Sequence, residues 1–111
     1  MVINKMKTYI YDITIDTPLG IKKGRMTRFS ENNTEKGYIE ILGKQNEFTA
    51  RIEPGGKCCI SGKLKTLIRD FEFEGNGYIW PDKLNVTLYN GKRSYTMNGV
   101  LKEENSDEKV L

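Results

Sequence analysis

Between Tyr9 and Leu101 apolar residues recur with a period of two, and no window sets them at three-and-four spacing over three helical turns. Turn formers break the alternation at short intervals: "TPLG" at 17–20, "ENNT" at 31–34, "GKQN" at 43–46, "EPGG" at 53–56, "PD" at 81–82 and "NGK" at 90–92. This pattern excludes a helical or α/β fold and predicts eight strands, near 6–16, 21–30, 36–42, 47–53, 57–63, 67–80, 83–90 and 93–103. Every connection is hairpin-short, so the simplest topology is an antiparallel meander. Eight such strands hide their edges most economically by closing on themselves. The expected fold is an all-β, eight-stranded, up-and-down barrel, with an open sandwich as the alternative.

One parity of the alternation gives a coherent interior. It runs through Tyr9, Tyr11, Ile13 and Ile15, then Gly24 and Met26, and reaches Phe48, Cys58, Ile60, Leu64, Phe71, Phe73, Leu88, Tyr95 and Met97 further on. Gly24, Gly37, Gly62, Gly75, Gly77 and Gly99 fall on the same parity inside predicted strands. Glycine there normally weakens a strand, but a small barrel needs sharp coiling and close approach of its walls.

With "KGRM", "KGYIEILG", "CCISGKL" and "MNGVL" spaced along it, the meander resembles the calycin-type barrels, the lipocalin and streptavidin architecture. It is also similar to small bacterial proteins that begin with a "YDITIDTPLG"-like strand and hairpin. The resemblance covers about residues 8–102 and rests on structural glycines, so what it implies is a fold. The lipocalin Gly-x-Trp motif is missing from the first strand, and the single tryptophan, Trp80, comes late in the chain. No ligand of those families carries over.

At 111 residues the chain suits one domain, expected as a barrel over 1–103 followed by an acidic, frayed tail over 104–111. The last nine residues hold four carboxylates against Lys109, so the net +3 of the whole chain leaves +6 on the other 102. No apolar run is long enough to span a membrane and "MVINKMKTYIYD" is not a secretory signal, which points to the cytoplasm. The adjacent Cys58 and Cys59 fit a reducing compartment, and alternation sends them to opposite faces.

Catalysis finds little support. The chain has no histidine, the commonest general base and metal ligand. The cysteine pair lacks the spacing of a metal or redox site, and Asp70, Glu72 and Glu74 alternate on the solvent face. No phosphate loop, dinucleotide fingerprint or calcium loop occurs, and no cofactor or metal is expected.

A stronger signal appears when hairpins are sorted by the end of the barrel they occupy. One end gathers 18–23, 43–46, 63–66 and 90–93, which hold Lys22, Lys23, Lys44, Lys63, Lys65, Lys92 and Arg93 and no carboxylate. Such a rim steers anions toward a low-dielectric cup. Arg69, Arg93 and Tyr95 fall on the inward parity near this mouth, where guanidinium and phenol groups suit a carboxylate or phosphate. Tyr11 is a further hydrogen-bonding candidate, and Ile15, Phe48, Leu64, Phe71 and Leu88 are candidates for an apolar wall. The expected function is therefore non-catalytic binding of an anionic or amphipathic small molecule at the basic mouth. The plainer reading is that the arginines snorkel above a solid core. In that case the protein is an interaction module, with Tyr78, Trp80 and Tyr89 forming an outward aromatic face for a homodimer or partner. Nucleic acid is disfavoured, because the positive charge rings one end and is not interleaved with aromatics.

Overall fold

Eight antiparallel strands pair each with the next, and the last returns to the first, so the sheet closes into a barrel. The computed structural model describes residues 3–31, 34–65 and 70–110. The strands are β1 (Ile3–Thr17), β2 (Gly20–Glu31), β3 (Thr34–Ile41), β4 (Lys44–Ile52), β5 (Lys57–Lys65), β6 (Asp70–Ile79), β7 (Lys83–Asn90) and β8 (Arg93–Val110). Their bounds lie within three residues of those expected, except at the end of β8. Among the described residues no helix is long and apolar enough to cross a membrane.

The acidic C-terminus departs from expectation. Residues 104–110 continue β8 and pair with β1, from Tyr9↔Glu104 to Ile3↔Val110. The register shifts between Ile10↔Glu103 and Tyr11↔Leu101, leaving Lys102 as the extra residue of a bulge. That bulge resets the alternation, so Leu101 keeps to the side of Tyr11 while Glu104 shares the side of Tyr9. A polar segment holds as a strand here because β1 offers it a complete hydrogen-bonding edge. The extended β1–β8 ribbon gives the molecule its 51 × 28 × 23 Å dimensions.

The interior parity is the one the alternation predicts. Tyr11, Met26, Ile39, Val86, Leu88 and Met97 have no exposed surface, and Ile13, Phe48, Cys58, Ile60, Phe73, Ile79 and Leu84 are nearly as deep. The inward glycines show how tightly this space is used. A methyl group on Gly75 would sit 2.9 Å from Leu88 Cδ2 and 3.0 Å from Ile60 and Val86. One on Gly99 would sit 2.9 Å from Ile13 and 3.0 Å from Leu84. At Gly37 the obstacle is backbone, since a Cβ would overlap the Thr27 carbonyl oxygen of the neighbouring strand.

Alternation separates the two thiols: Cys58 is buried, and Cys59 is exposed beside the Asn76 amide oxygen at 3.3 Å. Burial, reinforced by the neighbouring Cys59, pushes the Cys58 thiol up to about 11. Maleimide at mild alkaline pH is therefore expected to label the folded protein once, at Cys59, and a second time only on denaturation. Two labels on the native protein, read by intact mass, would contradict this burial.

Candidate functional site: the basic end

Three two-residue tips stand at one end of the barrel, the end to which β5 runs at Lys65 and from which β6 begins at Asp70. Pro18–Leu19 joins Thr17 to Gly20, with Thr17 Oγ1 donating to the Gly20 carbonyl at 2.6 Å and accepting from Leu19 N at 3.2 Å. Leu42–Gly43 joins Ile41 to Lys44, and Gly91–Lys92 joins Asn90 to Arg93. Both residues of the second tip have positive φ, 54° at Leu42 and 72° at Gly43. That geometry favours Asn-Gly, and Leu42 is the one non-glycine residue with positive φ among the described residues. A leucine held left-handed costs about 1–2 kcal/mol. Exposed at 54%, its side chain recovers little of that by packing. Leu42→Asn is thus expected to raise stability by about 1 kcal/mol, and an unchanged or lower thermal midpoint would show that the strain is relieved elsewhere.

On the β3–β5 side the barrel is tied together just inside these tips. Asn46, only 1% exposed, donates from Nδ2 to the Ile39 carbonyl at 2.9 Å and the Lys44 carbonyl at 3.3 Å. Its Oδ1 accepts from Lys65 N at 2.7 Å, so one side chain stitches β3, β4 and β5. Ile15, Ile41 and Leu64 are buried with it. Among the described residues, recesses on the outer wall include one over Gly37 and Gly62 beside Phe29 and Tyr38, another over Gly24 beside Lys23 and Leu42, and a third over Gly75.

The residues singled out from the sequence are distributed as follows. Phe48, Leu64 and Leu88 are buried core residues, and Tyr95 is half-buried against that core. Arg93 shares the inward parity but is exposed, because it follows directly on the hairpin tip above the packed layer. Arg69 and the side chain of Phe71 lie outside the described residues; the backbone of Phe71 pairs with Leu64. Lys23, Lys63, Lys65 and Lys92 are exposed, and Lys22 and Lys44 are half-buried. Register also qualifies the rim: Lys63 faces Glu72 and Lys65 faces Asp70, so that sector is close to neutral. Lys22, Lys23 and Arg93 have Ile15, Thr14 and Asn90 opposite, and exposed Asp16 faces Ile21, so the β1–β2 tip carries two lysines against one carboxylate and the β7–β8 tip carries Lys92 and Arg93. Between lysines the same end presents Leu19 at 86% exposure and Ile21 at 67%.

Tyr11 does not belong to this mouth. Its ring is fully buried and its hydroxyl points to the other end, donating to the Trp80 carbonyl at 2.7 Å. There it meets Arg28, which sequence reasoning passed over. Arg28 Nη2 donates to Tyr11 Oη at 2.9 Å, and Nη1 donates to Glu35 Oε2 at 3.0 Å. The guanidinium carbon lies 4.1 Å over the Tyr9 ring, and Ser30 Oγ donates to Glu35 Oε1 at 2.7 Å. Arg28 is 5% exposed and its Nε has no partner. Burial lowers the guanidinium's proton affinity, but the bonds to Tyr11 and Glu35 outweigh it and hold the group charged. Burial likewise pushes the Tyr11 phenol up, against the opposing pull of Arg28. The signal that finds this cluster is parity: two residues beyond Gly24 and Met26 stands Arg28, and two before Gly37 stands Glu35.

The aromatic trio is split as well. Trp80 stacks on Tyr78 at 5.2 Å between centroids, with Lys83 Nζ 5.3 Å from the indole ring. Its Nε1 donates to the Gly55 carbonyl at 3.0 Å, and the ring covers Gly56, where a Cβ would come within 2.6 Å of Nε1. Trp80 thus lies against the Gly55–Gly56 turn at the end opposite the basic tips. Tyr89 does not join this pair: it faces Glu74, and Asn85, four residues away along β7, faces Tyr78. That spacing sets the two tyrosines about 13 Å apart. Among the described residues no cluster of three or more carboxylates and cysteines is placed to hold a metal. Comparison of the chain with protein-family models, curated proteins and solved structures returns no match.

Proposed function

We propose that the protein is a non-catalytic binding module that accepts an anionic, amphipathic ligand on the surface of its basic end. The observation that carries this reading is the mixture at that end of cationic side chains with exposed aliphatic ones, above a core in which the described inward residues are packed against one another. A charged headgroup would meet Arg93 and the lysines of the β1–β2 tip, and an apolar portion would meet Leu19, Ile21 and Leu42. The packed core favours contact across the mouth over entry into the barrel, so Phe48, Leu64 and Leu88 support the wall and do not touch the ligand. A homodimer through Tyr78, Trp80 and Tyr89 is the weaker reading, since Trp80 is committed to Gly55 and Gly56 and Tyr89 stands apart.

Calorimetric titration with a monomeric single-chain alkyl phosphate, below its micelle concentration, tests the proposal. Binding is expected, and the double variant Lys23→Glu/Arg93→Glu should weaken it by at least about tenfold. Adding Arg69→Ala to Arg93→Ala tests the headgroup assignment made from sequence. No heat with the parent, or equal affinity in the charge-reversed variant, would remove the basic end from consideration.

A further inference from the structure

Leu42 is the residue least explained by folding alone. It occupies a tip position that favours asparagine, in a strained backbone conformation, and leaves most of its side chain in water. The β1–β2 tip repeats the pattern, with Leu19 following Pro18 and Ile21 outward on β2. The recess over Gly24 is lined by Lys23, Arg25 and Leu42 together with Asp12 and Glu40, so β2 just below its tip lies against the β3–β4 tip. Isolated surface leucines are ordinary. Two leucines and an isoleucine on two tips of one end, with Lys22, Lys23, Lys92 and Arg93 at that end, form the arrangement by which peripheral proteins rest on lipid: aliphatic groups enter the acyl boundary and ammonium groups stay at the level of the phosphates.

We infer that the occupant of the basic end is the surface of an anionic lipid bilayer, with Leu19, Ile21 and Leu42 inserted and Lys22, Lys23, Lys92 and Arg93 at the headgroups. This rests on the function proposed above and names the physical form of its ligand. Charge complementarity selects the anionic lipid, and the aliphatic tips select a bilayer over a polar polyanion. The outer wall makes the contact peripheral: Glu40, Glu47, Arg51 and Glu74 are exposed around it, where a spanning barrel carries an apolar band.

Vesicle flotation of the full chain tests the inference. The parent is expected to float with phosphatidylcholine vesicles containing about 30 mol% phosphatidylglycerol, to stay behind with phosphatidylcholine alone, and to be released at about 0.5 M NaCl. Leu19→Ser/Leu42→Asn should cut the bound fraction at limiting lipid by about tenfold. Asparagine suits the Leu42 backbone and residue 19 touches little, so circular dichroism should show the variant folded. Equal flotation of parent and variant, or equal binding to neutral vesicles, would overturn the inference. If the parent binds the monomeric alkyl phosphate but no vesicle, the bilayer assignment fails and the proposed function stands; if it binds neither, both fail. Heparin binding that is tighter than vesicle binding and unchanged in the variant would assign the end to a polyanion and overturn the lipid reading.

Discussion

Arg28→Met is expected to remove about 3–5 kcal/mol of stability, a large share of what a domain of this size has in total. The loss comes less from the missing bonds than from what they leave behind. Glu35, whose side chain is 13% exposed, would lose its ion-pair partner and be left with Ser30 as its remaining partner at the site. Tyr11 would lose one of its two partners while still donating to the Trp80 carbonyl. Methionine matches the length of the arginine stem, so packing is largely conserved. The double variant Arg28→Met/Glu35→Leu removes the stranded carboxyl group and should recover most of the loss. It should stay about 1 kcal/mol short of the parent, because the guanidinium over the Tyr9 ring is gone from both variants. Urea unfolding followed by the fluorescence of Trp80, the single tryptophan, measures the cycle. A double variant no more stable than Arg28→Met would mean that packing, and not the stranded carboxylate, is what the arginine supplies.

Gly37→Val should be comparably severe, about 3 kcal/mol or more, for a reason unrelated to charge. The Cβ is directed into the Thr27 carbonyl oxygen, and backbone cannot step aside as a side chain can. β2 and β3 would have to part where Arg28 pairs with Gly37, disturbing the guanidinium as well. The control is Gly91→Ala, at a tip where nothing stands within 4 Å and only the positive φ of 61° is unfavourable. That change should cost about 1–2 kcal/mol. If Gly37→Ala proves no more damaging than Gly91→Ala, the close approach is not what requires glycine there.

The two ends of the barrel were legible in the sequence to different degrees. The cluster of lysines at one end followed from counting hairpins in a meander, because short connections force alternate turns to one side. Their cross-strand partners did not follow, since which carboxylate faces Lys63 depends on register, and register is a property of two paired strands and not of the alternation within one. Arg28 and Glu35 lay on the inward parity of their strands and could have been found by extending the alternation two residues. They were passed over because an ion pair inside a barrel becomes visible only when its two strands are brought side by side.

Local chemistry therefore determined the strands, their count, the inward face and the separation of Cys58 from Cys59, since alternation and turn residues act over a few positions of chain. Tertiary structure alone decided that the acidic terminus extends β8, that Asn46 is buried among three strands, and that Tyr11 belongs to the end opposite the basic tips. Each of those outcomes depends on surfaces contributed by residues far apart in the chain, as Tyr11 and Trp80 are, whose distance is a property of the closed sheet.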